Sequence, residues 1–316
     1  MKRACVSVDL DGLHHYARIH GLGEEVLDAG ARGLHVRVAL PRLLALFERA
    51  QLKATLFVVG EDLALPGAEA VLRQAVQAGH EVASHSHRHP YALARASAAV
   101  VEDELGRAEE ALAAVSGARP LGFRAPGYTL SATLLSALVR RGYLYDASVF
   151  PAVPYYLAKA AVLAAMRLVG RASASSLDNP SVLTAPRQPY TPDAERPYRR
   201  GTAGLWELPM AVTPGLRLPF FGTLVTSAPD VVVRRAYRAV AQDEFLSLEL
   251  HAVDVLDASD GIPAALVRRQ KDVAILREKK ERRLAEVLEW LQRDFTVCPL
   301  AEAARALQTE SRRRGN

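Results

Sequence analysis

The chain has 316 residues, of which 50% are hydrophobic and 24% charged, so it is long and apolar enough to bury a core and is not expected to be disordered. Its formal net charge of +5 comes from arginines spread along the chain, with neither interleaved aromatic residues nor a known binding module, which argues against a nucleic-acid partner. Two cysteines, Cys5 and Cys298, are too few for a disulfide framework, and both lie in apolar runs, which favours buried thiols in a reducing compartment.

The first residues do not have the pattern of a signal peptide. The aspartates of ACVSVDLDG interrupt the apolar stretch before it reaches a useful length, so we expect a cytoplasmic protein.

Short apolar, β-branched runs then alternate with helical patterns along the chain. The predicted strands are 4–10, 54–60, 80–85, 121–126, 144–150, 205–212, 245–251 and 295–300, and the predicted helices are 37–51, 68–79, 100–117, 131–142, 229–242 and 277–293. This alternation predicts an α/β fold, a distorted (β/α) barrel of about seven to eight parallel strands in a single domain over residues 1–316.

The segment 151–201 interrupts the alternation and is predicted to be an insertion long enough to be functional. It opens with an apolar run, 155–171, that contains Lys159 and Arg167 and is too short to span a bilayer. Three interpretations stay open for this run: a peripheral contact with a membrane surface, a cover over a substrate groove, and a helix packed on the barrel.

Two aspartates end the first predicted strand. Asp9 and Asp11 flank Leu10, and the period of two along a strand places both carboxylates on one face. Two like charges at this spacing are costly unless a cation or a shared proton relieves them. Two solvated aspartates at a surface strand end are the simpler alternative.

Three histidines follow the third predicted strand in SHSHRHP. In an extended chain His85 and His89 would lie roughly 13 Å apart, too far for one ion to bridge with bonds of about 2 Å. A helical turn after the strand would instead stack these two rings on one face and direct His87 elsewhere. We therefore predict a helical turn, with His85 and His89 as a ligand pair and His87 outside it.

Asp11, His85 and His89 together would form a two-histidine, one-carboxylate set that leaves coordination positions open, as catalytic sites do. All three lie at C-terminal strand ends, where barrel enzymes build their active sites. Three further polar residues are predicted at the same rim: Arg124 in GFRAPGY, Asp146 in YLYDASVFP and His251 in FLSLELH. Each alone is readily explained by an ion pair, a cap or a buried hydrogen bond, but their convergence favours a site.

With these residues in place, the chain resembles the polysaccharide deacetylase family of metal-dependent carbohydrate deacetylases. The resemblance rests on VDLDG, HSHRH, RAPGY, YDAS and LSLELH, which occur in the family's order between residues 9 and 251. It implies that Asp11, His85 and His89 hold a divalent ion, zinc first, with cobalt, manganese or nickel as alternatives.

The resemblance also implies roles for the other polar residues. Asp9 would be the base that accepts a proton from water, His251 the acid that protonates the leaving amine, and Arg124 the residue that orients the base. Asp146 would support the site. The substrate groove is assigned to Pro126, Tyr128 and Trp206, with core packing an equal alternative for Trp206.

One departure from the family concerns the aspartates, because many members have adjacent aspartates in TFDDG where this chain has VDLDG. The spaced form resembles the branch with atypical peptidoglycan deacetylases and the deformylase of undecaprenyl-phosphate-linked formamido-arabinose. That likeness implies a carbohydrate or glycolipid substrate, met by a cytoplasmic protein at a membrane through 155–171.

The leading hypothesis is therefore a metal-dependent hydrolase that removes an acetyl or formyl group from an amino sugar, either lipid-linked or nucleotide-linked. One alternative is a hydrolase of cyclic or ureide amides on the same fold, in which the ligand set is often incomplete. Another is a catalytically silent carbohydrate-binding scaffold, against which the retention of Asp9, Arg124 and His251 argues. The sugar, the acyl group and the oligomeric state stay open.

Overall fold

The computed structural model describes residues 2–175 and 177–315, and eight parallel strands in them form one curled sheet. The strands are β1 (Arg3–Asp9), β2 (Thr55–Val58), β3 (Glu81–Ser84), β4 (Gly122–Phe123), β5 (Tyr145–Asp146), β6 (Trp206–Glu207), β7 (Phe245–His251) and β8 (Thr296–Val297). Their order is β6-β5-β4-β3-β2-β1-β7, and β8 pairs with the start of β1. The predicted distorted (β/α) barrel is confirmed, and every predicted strand overlaps an observed one.

The helices surround this sheet. They are α1 (Leu13–Ile19), α2 (Ala29–Arg32), α3 (Leu40–Arg49), α4 (Ala68–Gln77), α5 (Ala98–Ser116), α6 (Ala132–Arg140), α7 (Val153–Leu168), α8 (Gly222–Ser227), α9 (Asp230–Val240), α10 (Ala264–Val267), α11 (Arg277–Asp294) and α12 (Leu300–Gly315), with a π-helical turn at His35–Ala39. All six predicted helices are present, whereas five others were not predicted: α1, α2, α8, α10 and α12.

Successive side chains of β1 point alternately into the barrel interior and towards the helices outside it. Val6 and Val8 pack with the helices in the largest apolar cluster, whereas Cys5 packs with barrel residues such as Phe57. Ser7 is on the same inner face, where its hydroxyl accepts a hydrogen bond from Arg124. The period of two therefore also directs the carboxylate of Asp9 inwards, as the sequence predicts.

The barrel closes between β6 and β7 through loop residues rather than a strand pair. The amide of Ala211 donates to the carbonyl of Ser247 at 2.9 Å. The side-chain amide of Gln188 exchanges two hydrogen bonds of 3.1 Å with the backbone of Phe245. It thus pairs with the edge of β7 as the backbone of a neighbouring strand would. Part of segment 151–201 thus completes the barrel.

Helix α12 covers the end of the barrel near the start of β1. Its first amides are held from inside, because Leu300 donates to Oγ1 of Thr55 and Ala301 to Oε2 of Glu81, both at 2.9 Å. Leu300 and its neighbours pack against the buried free thiols of Cys5 and Cys298. The opposite end, where the strands finish, stays available for a site.

The inserted segment contributes helix α7 and then returns along α1. The hydroxyl of Ser173 donates to the carbonyl of Ile19 at 2.7 Å, and the amide of Ala174 donates to the carbonyl of Arg18 at 3.2 Å. These contacts hold α7 beside α1 at the C-terminal end of the barrel. No helix among residues 2–175 and 177–315 combines the length and hydropathy needed to cross a bilayer.

Candidate functional site

The structure brings Asp11, His85 and His89 together, with one ligand atom of each within 4.8 Å of the others. Nε2 of His85 and Nε2 of His89 both lie 3.3 Å from Oδ1 of Asp11. Ligand atoms bound tetrahedrally to one ion at about 2.1 Å would be about 3.4 Å apart, so the spacing fits a common divalent ion.

The buried polar atoms of this cluster are also consistent with a cation. Oδ1 of Asp11 and Nε2 of His89 make no hydrogen bond within the described part of the chain, although both are buried. Nδ1 of His85 lies 2.7 Å from the carbonyl of Arg124, which leaves Nε2 as the free lone pair facing Asp11. Burial opposes the effect, but the two imidazoles hold the pKa of Asp11 well below its usual range, so it stays a carboxylate.

The predicted helical turn between the histidines is wrong, although the predicted pair is the one that converges. Ser86 and His89 have φ values of +65° and +55°, in the left-handed region. Pro90 disfavours a right-handed helical conformation at His89, so the chain reverses through left-handed residues instead. Glu104 on α5 then fixes the turn by accepting hydrogen bonds from the amides of His87 and Arg88, at 3.0 and 2.9 Å.

Asp9 is paired with a fully buried arginine. Nη1 of Arg124 lies 2.6 Å from Oδ1 of Asp9, and its guanidinium stacks 4.1 Å above the ring of Phe57. Nε of Arg124 donates to the carbonyl of Ala147 at 2.9 Å, so the guanidinium has little freedom. Arg124 therefore holds Asp9 in one orientation at the cavity floor.

His251 lies beside Asp9, since the two residues are register partners on β1 and β7. Its Nδ1 lies 2.9 Å from Oε1 of the fully buried Glu249, and its Nε2 lies 2.9 Å from the hydroxyl of Tyr128. Burial alone would lower the pKa of His251, but Glu249 and the nearby aspartates raise it well above its ordinary value. The carboxylate of Glu249 therefore favours the protonated imidazole.

These groups lie at the floor of a cavity of about 290 Å³. Asp9, Asp11, His85 and His251 all line it. Its walls are largely tyrosine rings, which suit the apolar faces of a sugar; the tyrosines are Tyr16, Tyr91, Tyr128 and Tyr155. The size and lining fit a small polar ring bound over the acidic floor.

Five residues predicted for the site do not line this cavity: His89 and Arg124, which contact the lining residues Asp11 and Asp9, and also Asp146, Trp206 and Pro126. Asp146 is buried and bonds to Ser148, with Oγ to Oδ1 at 2.7 Å, and to Glu207, so it supports the strand ends rather than touching a ligand. Trp206 packs at the edge of the interior cluster around Tyr145, because it belongs to β6 below the rim. Pro126 is buried in the turn that presents Tyr128. The groove assignment of Pro126 and Trp206 is therefore wrong, and Asp146 keeps a supporting position without reaching the cavity.

Several residues at the site were not predicted. Glu249 is two residues before His251 on β7, and strand periodicity in LSLELH could have identified it. His15 on α1 stacks 4.0 Å from the ring of His89, and burial with His89 lowers its pKa well below the usual range. Lys159 enters the cavity from α7. Only the packing of the two helices reveals the last two.

The site lies at the C-terminal ends of the barrel strands, the face on which barrel enzymes build their active sites. The family model described as Polysaccharide deacetylase matches residues 27–145. A peptidoglycan deacetylase of Helicobacter pylori is 34% identical over 155 residues, covering 48% of this chain and 51% of that protein. The peptidoglycan deacetylase-like protein FGM2 of Gibberella zeae is 30% identical over 157 residues, covering 48% of this chain and 46% of the relative. The chain is thus similar to these proteins over part of its length, and it spans about half the length of the curated relatives it matches.

Solved structures add evidence on the fold alone. A Mycobacterium smegmatis structure assigned to the polysaccharide deacetylases has a TM-score of 0.59 at 20% identity and covers 98% of this chain and 91% of its own. PuuE allantoinase has a TM-score of 0.58 at 17% identity and covers 96% of this chain and 89% of its own. Because a structure described as a polysaccharide deacetylase and one described as an allantoinase both match, the fold does not discriminate between the two substrate classes.

Proposed function

We propose that the protein is a metal-dependent hydrolase that removes an N-acyl group from an amino sugar. The observation that carries this proposal is the convergence of two kinds of group on one cavity floor. Nε2 of His85 and Nε2 of His89 each lie 3.3 Å from Oδ1 of Asp11, and beside them Asp9 and His251 supply a carboxylate and an imidazole. Amide hydrolysis needs both, because a water must lose a proton and the amine must gain one.

Asp11, His85 and His89 would hold the divalent ion. When bound, the ion supplies a Lewis acid that polarises the acyl carbonyl and makes water a better nucleophile at neutral pH. The other residues act on the substrate directly. Asp9, fixed by Arg124, accepts the proton that water loses as its oxygen bonds to the acyl carbon.

His251 completes the reaction. As the carbon–nitrogen bond breaks, the imidazolium donates a proton to the departing nitrogen, and an acyl acid and a free amine result. Glu249 stabilises the imidazolium through Nδ1, while the hydroxyl of Tyr128 orients Nε2 towards the cavity. Tyr128 itself has φ +65°, a strained conformation that places its ring at the cavity wall.

The proposal extends to a glycan precursor that carries its amino sugar on a lipid or a nucleotide, with acetyl or formyl as the acyl group. The basic Lys159 at the cavity supports a substrate with an anionic carrier. We further propose that the protein is cytoplasmic and meets such a substrate at a membrane surface through 155–171, which the exposed side chains of Leu157 and Leu168 support. Zinc is the ion proposed first.

An acyl-release screen tests this function. Acetate and formate release would be measured from N-acyl amino sugars, nucleotide-linked sugars, lipid-linked sugars and allantoin, with and without added zinc. We expect release from an amino sugar and none from allantoin. Release only from allantoin would replace the sugar with a cyclic ureide substrate.

The Asp9→Asn variant tests the assignment of the base. Asparagine cannot accept the proton, so kcat is expected to fall by about 100-fold or more while the bound metal is retained. The measurement pairs acyl release with elemental analysis of the same sample. Wild-type turnover in Asp9→Asn would require a different base.

A further inference from the structure

A second groove opens directly from the catalytic cavity. It has a volume of about 290 Å³ and runs between the end of α1, at Ile19, and one face of α7, formed by Ala158, Val162, Leu163 and Met166. We call it the α7 groove. The cavity and the α7 groove share lining residues, so a ligand can occupy both at once; the shared residues are Ile19, Tyr155, Lys159 and Ser175.

The α7 groove is apolar along the helix beyond Lys159, and its other polar lining residues, His20, Ser173 and Ser175, lie outside α7. Residues 155, 159, 162, 163 and 166 recur at the spacing of one helical face, and Lys159 is the only charged side chain among them. Val162 lies on this face and is 57% exposed, so an apolar side chain of the groove is open to solvent. An exposed apolar groove that leads into a polar cavity indicates a ligand with an apolar part.

Lys159 lies at the junction of the two spaces. Its Nζ is 5.6 Å from the ring centroid of Tyr155 and 6.0 Å from that of Tyr156, and it is largely enclosed. Across residues 2–175 and 177–315, no carboxylate lies within ion-pair distance of this ammonium group. Burial lowers the pKa of Lys159 to about 8, and the more distant Asp178 offsets this only in part. An anionic group at the junction would favour the charged form of the amine.

We infer that the α7 groove binds the apolar chain of an amphiphilic substrate whose N-acyl sugar lies in the cavity, with Lys159 contacting an anionic phosphoryl linker between the two. The inference rests on the proposed function for the identity of the sugar end. It selects the lipid-linked over the nucleotide-linked carrier, because a nucleoside needs polar partners that Val162, Leu163 and Met166 do not offer.

Alkyl glycosides of increasing chain length test the groove by binding. Calorimetry would compare methyl, octyl and dodecyl 2-acetamido-2-deoxyglucopyranosides below their micellar concentrations, with the full-length chain. We expect the dodecyl compound to bind at least about tenfold more tightly than the methyl compound, since each buried methylene adds affinity. Val162→Asp should abolish this gain.

Leu157→Asp is the matched control, because Leu157 lies on the same helix, is 65% exposed and is outside the α7 groove. It should keep the gain with chain length. Equal affinities for the methyl and dodecyl compounds in the wild-type chain would overturn the inference. So would an equal loss in both variants, which would indicate general adsorption to α7.

Dodecyl phosphate and inorganic phosphate test the linker. Lys159→Met should weaken dodecyl phosphate binding about tenfold and leave the uncharged dodecyl glycoside unchanged, and Lys159→Arg should retain most of the affinity. Equal loss for both ligands would overturn the linker contact. If inorganic phosphate binds as tightly as dodecyl phosphate, the apolar chain contributes no affinity, and the groove assignment is overturned. Tighter binding of uridine diphosphate N-acetylglucosamine, insensitive to Val162→Asp, would replace the lipid with a nucleotide.

Acetate release from the same glycosides separates this inference from the proposed function. A gain in binding with chain length, but no acetate from any compound, would retain the groove and reject the deacylase. Acetate release with no dependence on chain length in either binding or kcat/KM would retain the deacylase and reject the groove.

Discussion

Oδ1 of Asp11 is the point where the imidazoles of His85 and His89 meet, and the three residues come from chain segments more than seventy positions apart. The i, i+4 spacing selected the histidine pair that converges on Asp11, but it could not predict the backbone that joins the two residues. His89 adopts φ +55° because Pro90 disfavours the right-handed helical region and Ser86 supplies a hydrogen bond to its amide, 3.0 Å from Oγ.

The ligand assignment predicts which substitutions empty the site. Asp11→Ala and His89→Ala should each lower the bound divalent ion from about one per chain to near zero, since two ligands alone hold such an ion weakly. Elemental analysis after dialysis measures this. His87→Ala is the control and should keep the ion, because His87 is not part of the ligand cluster. Equal metal content in all three variants would reject the assignment.

Glu249 gives a second prediction at the residue scale. Although burial opposes it, Glu249 raises the pKa of His251, and His251 acts as an acid only below that pKa. Glu249→Gln should lower the pKa of His251, so the alkaline limb of the kcat/KM profile should move to lower pH by about one unit or more. Glu249→Asp should restore part of the shift.

Ser247→Ala provides the control for this pH profile, since Ser247 lies two residues before Glu249 on the same inward face of β7. Its alkaline limb should match that of the wild type. An unchanged limb in Glu249→Gln would mean that another group sets the pKa of His251.

At the scale of elements, the loop after β7 depends on a buried lysine of α11. Lys280 is fully buried, and its Nζ donates to the carbonyls of Val253, at 2.8 Å, of Leu256, and of Asp272, at 3.2 Å. Two of these carbonyls belong to the segment that directly follows His251, and Asp272 lines the cavity. Helix α11 therefore holds the loop that orients the proposed acid.

The Lys280→Met variant tests how much these hydrogen bonds contribute to stability and turnover. Three buried carbonyls would lose the ammonium group as a donor, so the free energy of unfolding is expected to fall by about 3 kcal/mol, and kcat should fall with it. Urea denaturation measures the change. Lys279→Met is the matched control, since Lys279 is its exposed neighbour, and an equal effect in both variants would contradict the prediction.

For the whole molecule, a metal ion would join β1 to the loop after β3, because Asp11 follows β1 while His85 and His89 follow β3. An ion that binds only the folded chain adds about 2.7 kcal/mol of stability when present at a hundredfold excess over its Kd. We therefore expect zinc to raise the Tm of the chelator-treated protein by a few degrees in a thermal scan. The same rise in Asp11→Ala would mean that zinc stabilises the protein elsewhere.

The sequence alone determined the barrel, since strands of period two alternating with amphipathic helices leave few other ways to bury their apolar faces. It also determined which strand ends carry Asp9, Asp11, His85, Arg124 and His251. Only the tertiary structure decided which polar residues reach the cavity. It placed Asp146 and Trp206 away from the cavity, brought Lys159 into it and set Glu249 against His251. Periodicity reports the face of one element, whereas a site depends on how faces from distant elements pack, through contacts that no local pattern records.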